Sequence, residues 1–346
     1  MKKMLKFTPK YYELLDDMEK PEAIYLGLNV SDRCNFRCKK CVQGSPFRKG
    51  TKLSLDQFKK MIKRAKEELD IKCVFIPGRG ETFLAGNGRK ESDYKENYIE
   101  LVDYIDKLDL HLFQFSNGYY MDRKMVDLLS DKEASIVISI DSLNKRKYLD
   151  LYRGPKDSFE GVMKNLKYAR EVFGEKTETH KGYNLLRLGI NISISHENFN
   201  EIDRMKEFCG DDIMFICNWP IIHGNFKYHL KEMCKSEAEY EAFKSNVLKK
   251  SDNKGLAGTT FDGRCGFIFQ GLSINSDGNV LLCPYTPETG KHFGNIENYK
   301  SFEEAFKEVK GSVLKHSKKY PSSRICFPRD TETYRKYLNS IEKYHK

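Results

Sequence analysis

The stretch Cys34-Asn35-Phe36-Arg37-Cys38-Lys39-Lys40-Cys41 follows closely on the apolar run Ile24-Tyr25-Leu26-Gly27-Leu28-Asn29-Val30. The run reads as a buried strand, and the eight residues after it as a loop carrying three thiols in C-x3-C-x2-C spacing. Two chemistries suit such a loop. Three thiolates can ligate three irons of a cubane cluster and leave the fourth iron open to a small molecule. Cysteines two residues apart are also common zinc hooks. Zinc usually takes four protein ligands, and no nearby histidine or fourth cysteine completes a tetrahedron here.

Working outward, the chain alternates. Ser54 and Gln57 form the signature of a capping box, and Leu55, Phe58, Met61, Ile62, Ala65 and Leu69 fall on one helical face. Cys73 to Pro77 is a second strand, closed by Gly78-Arg79-Gly80. Tyr98, Leu101, Val102, Ile105 and Leu108 mark a helix, and His111 to Phe115 a strand ended by Ser116-Asn117-Gly118. Met125 to Leu129 is a short helix, and Ser135 to Ile140 a strand ending at Asp141. Ser158 caps a helix through Phe173, Leu188 to Ser195 is a strand, Ile202 to Phe208 a helical face, and Ile213 to Cys217 a sixth strand. Strands alternating with helices predict parallel βα units. Six are too few for a closed eight-stranded barrel, so the fold class is α/β, a partial (β/α)6 TIM-like barrel. Loops after strand C-termini build the site in such folds, and the cysteine loop, Gly78–Glu81, Ser116–Gly118 and Asp141 all stand there.

Beyond about residue 230 the pattern changes. Ser236 and Glu239 start a helix, and a glycine-rich stretch, Lys254 to Thr260, follows. Gly271 to Leu282 reads as a hairpin around Asp277-Gly278, and Ser301 with Glu304 caps a further helix. The expected division is a lead-in over 1–20, the partial barrel over 21–230, and a small α+β C-terminal domain with a basic tail over 231–346.

The 346 residues carry a formal charge of +10. Of this, +7 lies in Lys310–Lys346, where Tyr320, Tyr334, Tyr337 and Tyr344 are interleaved. That segment could meet an acidic partner or nucleic acid; a solvated helix in a lysine-rich chain is the plainer reading, and nucleic acid is not the favoured partner. No run of eighteen apolar residues and no continuous signal-peptide core occur, so neither membrane nor secretion is expected. Ten cysteines then suggest metal or cluster ligation in a reducing cytoplasm rather than disulfides. No Walker loop, serine-hydrolase elbow or paired-carboxylate signature is present.

The triplet and its flanks resemble the radical S-adenosylmethionine (radical SAM) superfamily. The resemblance implies that Cys34, Cys38 and Cys41 hold a 4Fe–4S cluster whose open iron chelates the methionyl group of S-adenosylmethionine. Pro77-Gly78-Arg79-Gly80-Glu81-Thr82 looks like the family's Gly-Gly-Glu-Pro segment, with Arg79 between the glycines and Thr82 in place of proline. Gly78 and Gly80 then permit close backbone approach, and Glu81 accepts the methionyl ammonium. Ser116, Asn117, Ser139 and Asp141 resemble the strand-end residues that touch ribose and methionyl groups. Arg153 resembles an arginine facing the methionyl carboxylate or the substrate. For each of these five, an ordinary turn or surface role is the alternative. Position 40 is usually aromatic in relatives and packs on adenine; here it is Lys40.

Cys265, Cys283 and Cys326 form a second constellation. With Gly278-Asn279-Val280, Cys283-Pro284 and Gly294-Asn295-Ile296 they resemble the SPASM and shortened twitch domains. The resemblance implies one auxiliary 4Fe–4S cluster, but Arg329 stands where the fourth thiolate is expected, leaving an open iron or another ligand such as Asp330. Three buried structural cysteines are the alternative. Cys73 and Cys217 read as strand core, and His223, His229 and Trp219 as linker or substrate-facing residues beyond strand six.

The implied activity is reductive cleavage of S-adenosylmethionine and hydrogen abstraction from substrate, with a flavodoxin- or ferredoxin-type protein as electron donor. The favoured substrate is a small polar metabolite, a sugar or aminocyclitol alcohol, oxidised or rearranged with the help of the auxiliary cluster. The alternative is maturation of a ribosomally made peptide. A non-catalytic iron–sulfur or zinc protein is the third reading. No residue is singled out as a catalytic acid or base.

Overall fold

The computed structural model describes residues 23–44, 51–180, 183–218, 223–250, 270–286 and 292–319. In chain order its elements are β1 (Tyr25–Leu28), α1 (Leu55–Leu69), β2 (Cys73–Ile76), α2 (Glu91–Lys107), β3 (His111–Ser116), α3 (Arg123–Asp131), β4 (Ala134–Ser139), α4 (Lys145–Tyr152), α5 (Ser158–Glu175), β5 (Glu178–His180), β6 (Tyr183–Leu185), β7 (Leu188–Ser193), α6 (Ile202–Cys209), β8 (Met214–Asn218), α7 (Gly224–Met233), α8 (Glu237–Lys250), β9 (Gly271–Ile274), β10 (Val280–Leu281) and α9 (Phe302–Lys319). Strands pairing in parallel and followed by helices make this an α/β fold, the βα succession of a partial TIM-like barrel. The chain divides into two compact units.

One unit contains, among the described residues, 23–33, 51–113 and 270–319. Here β1 lies between two parallel neighbours, with Gly27 in register with Phe75 of β2 and with Ser273 of β9. Strands buried on both faces read as unbroken apolar runs, and Leu26, Leu28, Val74, Ile76, Leu272 and Ile274 are all buried. Helix α1 starts at the expected capping box, Gln57 N–H donating to Ser54 Oγ at 3.3 Å and Ser54 N–H to Gln57 Oε1 at 2.8 Å. It buries Phe58, Met61, Ile62 and Ala65. The expected hairpin is present as β9 and β10, antiparallel with Val280 opposite Ile274. β9 also extends the parallel sheet beside β1, a pairing between residues some 250 apart that no local pattern announces.

The other unit contains 34–44 and 114–250. Its strands β4, β7 and β8 run parallel, with Ser139 opposite Asn191 and Ser193 opposite Asn218. Three of its features depart from the sequence reading. Helix α4 was not expected in the charged stretch Lys145–Asp150; Asn144 caps it, and only Tyr148, Leu151 and Tyr152 are buried. A small antiparallel pair, β5 with β6, precedes β7. Ser158 does not cap α5: Asp157 holds the N-cap position, and Ser158 is the first helical residue with its side chain buried inward.

Candidate functional site

The cysteine loop is held from two sides within its own unit. Helix α4 ends at Tyr152 because Arg153 turns into the left-handed region, φ 48°. Carbonyls in the last turn of a helix lack intrahelical donors, and the loop supplies two. Arg37 N–H donates to Tyr152 O at 3.1 Å and Lys39 N–H to Leu151 O at 2.9 Å. Phe36 is buried edge-on against the Tyr152 ring. A side chain at Gly154 would meet that phenyl ring at 2.6 Å. On the other flank Asn225, at the start of α7, donates its N–H to Cys41 O at 2.8 Å and its amide to Cys38 O at 3.2 Å. His223 Nδ1 lies 3.0 Å from Val42 O. With the backbone so occupied, the three sulfurs are the groups the loop presents.

Those sulfurs do not suit three free thiolates. Burial pushes the Cys38 thiol well above its ordinary range, and the neighbouring Cys34 and Cys41 push it further; Lys40 pulls the other way. Mutually repelling soft donors of this kind are relieved by a metal core, which deprotonates coordinating thiols outright. A cubane asks for one thiolate on each of three separate irons, so the donor set fits a 4Fe–4S cluster. Cys34 Sγ accepts from Phe36 N–H at 3.4 Å and lies 3.9 Å from Asn117 Nδ2. The same Asn117 amide donates to Asn35 Oδ1 at 2.8 Å. Asn117 is therefore brought to the loop; Ser116 instead uses its Oγ to accept from Gly118 N–H, closing the turn after β3.

Asp141 is wholly buried and faces the Lys40 cation. Lys40 Nζ reaches Asp141 Oδ1 and the Tyr152 hydroxyl, and also lies 4.6 Å from the Tyr152 ring centre. Ser193 N–H donates to the same Oδ1 at 2.9 Å, while Oδ2 has no hydrogen-bond partner. Burial raises the carboxyl's pKa against the pull of Lys40. Lys39 is held by Asp150 at 2.6 Å, Glu232 at 3.2 Å and Glu197 at 3.8 Å. Burial opposes its charge, but the bonds to Asp150 and Glu232 outweigh burial and raise its pKa. Ser139 ends β4, half-buried. The Arg153 side chain is exposed, with Nη1 3.4 Å from His229 Nε2.

In the other unit, Gly78 adopts φ +70°, and a Cβ at Gly80 would lie 2.5 Å from Arg33 O and 2.6 Å from Ser31 O. The turn after β2 is thus pressed against the residue that precedes Cys34 in the chain, and Glu81 N–H donates to that same Arg33 carbonyl at 2.6 Å. Glu81 is buried, with Oε1 accepting from Phe83 N–H at 3.3 Å. Arg79, the departure from the family pattern, is buried as well. Cys283 follows β10, buried; its N–H donates to Thr286 Oγ1 at 2.9 Å. Cys265, Cys326 and Trp219 lie outside the described residues.

The sequence matches known proteins along most of its length. The model of the Radical SAM superfamily matches residues 28–187. AlbA of Bacillus subtilis, an antilisterial bacteriocin subtilosin biosynthesis protein, is 25% identical over 316 residues, covering 86% of this chain and 62% of AlbA. A GTP 3',8-cyclase of Campylobacter fetus is 31% identical over 235 residues, covering 61% of this chain and 66% of the cyclase. The chain thus spans less than two thirds of the length of these curated relatives. Streptococcus suis SuiB, solved bound to its precursor peptide SuiA, superposes with a TM-score of 0.60 at 14% identity, covering 85% of this chain and 67% of SuiB, a likeness of fold.

Proposed function

Residues 28–187 are a radical SAM domain, whose cofactors are a 4Fe–4S cluster and S-adenosylmethionine, and from that premise we propose that the chain modifies a peptide. When bound, these cofactors supply an electron and a 5'-deoxyadenosyl radical that abstracts hydrogen from substrate. The chain's own residues hold and orient. Cys34, Cys38 and Cys41 each take one iron, on a loop whose backbone α4 and α7 fix in place. Glu81, buried behind Gly78 and Gly80, accepts the methionyl ammonium. Asn117 steadies the Cys34 side of the loop, Ser116 and Ser139 offer hydroxyls to ribose, and Asp141 offers its unpartnered Oδ2. Arg153 pairs with a carboxylate of the cofactor or substrate. Holding the reacting C–H against the radical and excluding water are the remaining tasks of such a site.

The observation that carries the peptide reading is the similarity to AlbA along 86% of the chain, a protein of bacteriocin biosynthesis. SuiB, whose partner is a precursor peptide, shares the fold. A second reading, a small polar metabolite, is favoured by the higher identity to a GTP 3',8-cyclase over a shorter stretch. The sugar or aminocyclitol alcohol expected from sequence falls within this second reading and is named by none of these three relatives. We further propose an auxiliary cluster on Cys265, Cys283 and Cys326, an oxidative outcome, a flavodoxin- or ferredoxin-type donor, and a cytoplasmic location; no helix among the described residues is long and apolar enough to cross a membrane.

The test is isotopic. Anaerobically reconstituted protein is reduced and given S-adenosylmethionine with a uniformly deuterated short peptide encoded beside its gene, or with deuterated GTP. Deuterium should appear in 5'-deoxyadenosine with the peptide. Label from GTP alone would establish the metabolite reading instead.

A further inference from the structure

Two buried polar side chains on one face of the β1–β9 pair make no hydrogen bond. Asn29 is 2% exposed, and both its Nδ2 and its Oδ1 lack a partner; Ser273 is also 2% exposed, and its Oγ lacks one. Buried amides and hydroxyls are nearly always satisfied, so each exception calls for an explanation. The backbone gives none, because Asn29 N–H already donates to Ile274 O at 3.0 Å and continues the ladder of β1. It is the side chain alone that is unsatisfied.

The register places the two side chains together. Gly27 is opposite Ser273, and a Cβ on Gly27 would come within 2.8 Å of Ser273 Oγ. The serine hydroxyl therefore occupies the space above Gly27. Side chains alternate along a strand, so Asn29 projects from the face of Gly27, roughly 7 Å further along. The opposite face is aliphatic throughout, with Leu26, Leu28, Leu272 and Ile274. On the polar face, Phe75 is level with Gly27. Its ring stacks on Phe113 at 5.0 Å and meets Tyr25 and Tyr285 edge-on.

We infer that Asn29 and Ser273 form a substrate-binding pair for the main chain of a peptide, with Phe75, Phe113 and Tyr285 as the wall for an adjoining apolar side chain. A carboxamide offers a donor and an acceptor side by side, the match for the C=O and N–H of a peptide unit. A hydroxyl two positions back adds a second contact, and it lies so close over Gly27 that a side chain there would displace it. The inference rests on the peptide reading for the class of ligand, and on the two unsatisfied side chains for the place.

The experiment uses Asn29→Leu, which keeps the branching and heavy-atom count of the side chain, and Ser273→Ala, which adds no volume, in reconstituted full-length protein, with iron content as the control for an intact cluster loop. The probes are an equimolar library of synthetic dodecapeptides and, separately, GTP. Polar groups kept unsatisfied for a ligand should stabilise the empty protein when removed, so Ser273→Ala, which adds no atoms, should raise Tm by about 2–4 °C. A fall in Tm on Ser273→Ala would overturn the assignment, since it would mean that the hydroxyl is structurally satisfied. The library should raise 5'-deoxyadenosine release in the natural protein, and this stimulation should drop at least tenfold in Asn29→Leu. Stimulation retained in the variant overturns the site and leaves the peptide reading standing. Stimulation of the natural protein by GTP and not by the library overturns both the peptide reading and the amide specificity. No stimulation by either probe overturns the ligand assigned to the pair.

Discussion

Lys40 Nζ lies 2.5 Å from Asp141 Oδ1, joining a cysteine-loop residue to the end of β4 across 101 positions of sequence. The carboxylate is fully buried and the lysine side chain is 11% exposed. The pair explains how a charged residue can stand between Cys38 and Cys41: its cation is spent on Asp141 and on the Tyr152 hydroxyl rather than on solvent.

Removing one partner of a buried pair leaves the other charge uncompensated, at a cost of about 3–5 kcal/mol. Lys40→Met should therefore destabilise the protein by that order in urea unfolding. Asp141→Asn in the same chain should recover most of the loss, because no lone carboxylate then remains. Equal destabilisation by the single and double variants would show that the pair contributes little and that Lys40 matters for packing.

The contrast between what could be read in the chain and what could not follows from range. Cys34, Cys38 and Cys41 announce themselves by local spacing, and β1, β2, β4 and β8 by short apolar runs, so both are legible in the sequence. Lys40 and Asp141 are two ordinary charges until the fold brings them together. Helix α4 hides because its buried side, Tyr148, Leu151 and Tyr152, is narrow and its remainder is charged. Asn29 reads as one more strand residue, and only its lack of partners in the folded chain distinguishes it.

Cys73 illustrates a cysteine with no ligand role. Burial pushes its thiol up to about 12, so at pH 8 roughly one molecule in ten thousand carries the reactive thiolate. Iodoacetamide should leave Cys73 unmodified in the native, metal-free protein while labelling the half-buried Cys34 and Cys41; peptide mass mapping reads the outcome. The sign for stability follows. A raised folded pKa gives a contribution that is full below the unfolded value near 8.5 and is lost as pH climbs towards 12. The alkaline limb of the Tm profile should shift to higher pH in Cys73→Ala if that substitution is otherwise tolerated in β2. Rapid native labelling of Cys73 would contradict its place in the strand core.

Gly80 has no room for even one carbon. The added Cβ would meet two backbone carbonyls, of Ser31 and Arg33, at 2.6 and 2.5 Å, and backbone yields less readily than a side-chain tip. Gly80→Ala should cost about 1–3 kcal/mol by overpacking. It should also weaken S-adenosylmethionine binding at least tenfold, because Glu81 is tied to the same Arg33 carbonyl. Equilibrium dialysis with labelled S-adenosylmethionine measures the second effect. Natural affinity in a variant that is measurably destabilised would separate the turn's structural role from the cofactor.

The last prediction concerns iron. Cys283 sits buried after β10 with Thr286 Oγ1 3.7 Å from its sulfur, an arrangement equally suited to a packed thiol and to a ligand steadied by a hydroxyl. A cubane carries four irons, so the two cases differ by a whole cluster. Replacing Cys34, Cys38 and Cys41 with alanine should remove about four irons per chain and abolish 5'-deoxyadenosine formation. Replacing Cys265 and Cys283 should remove about four more while the absorbance of the remaining cluster persists. Unchanged iron after the second substitution would assign Cys283 to the core of its unit. The peptide reading would then have to stand on a single cluster.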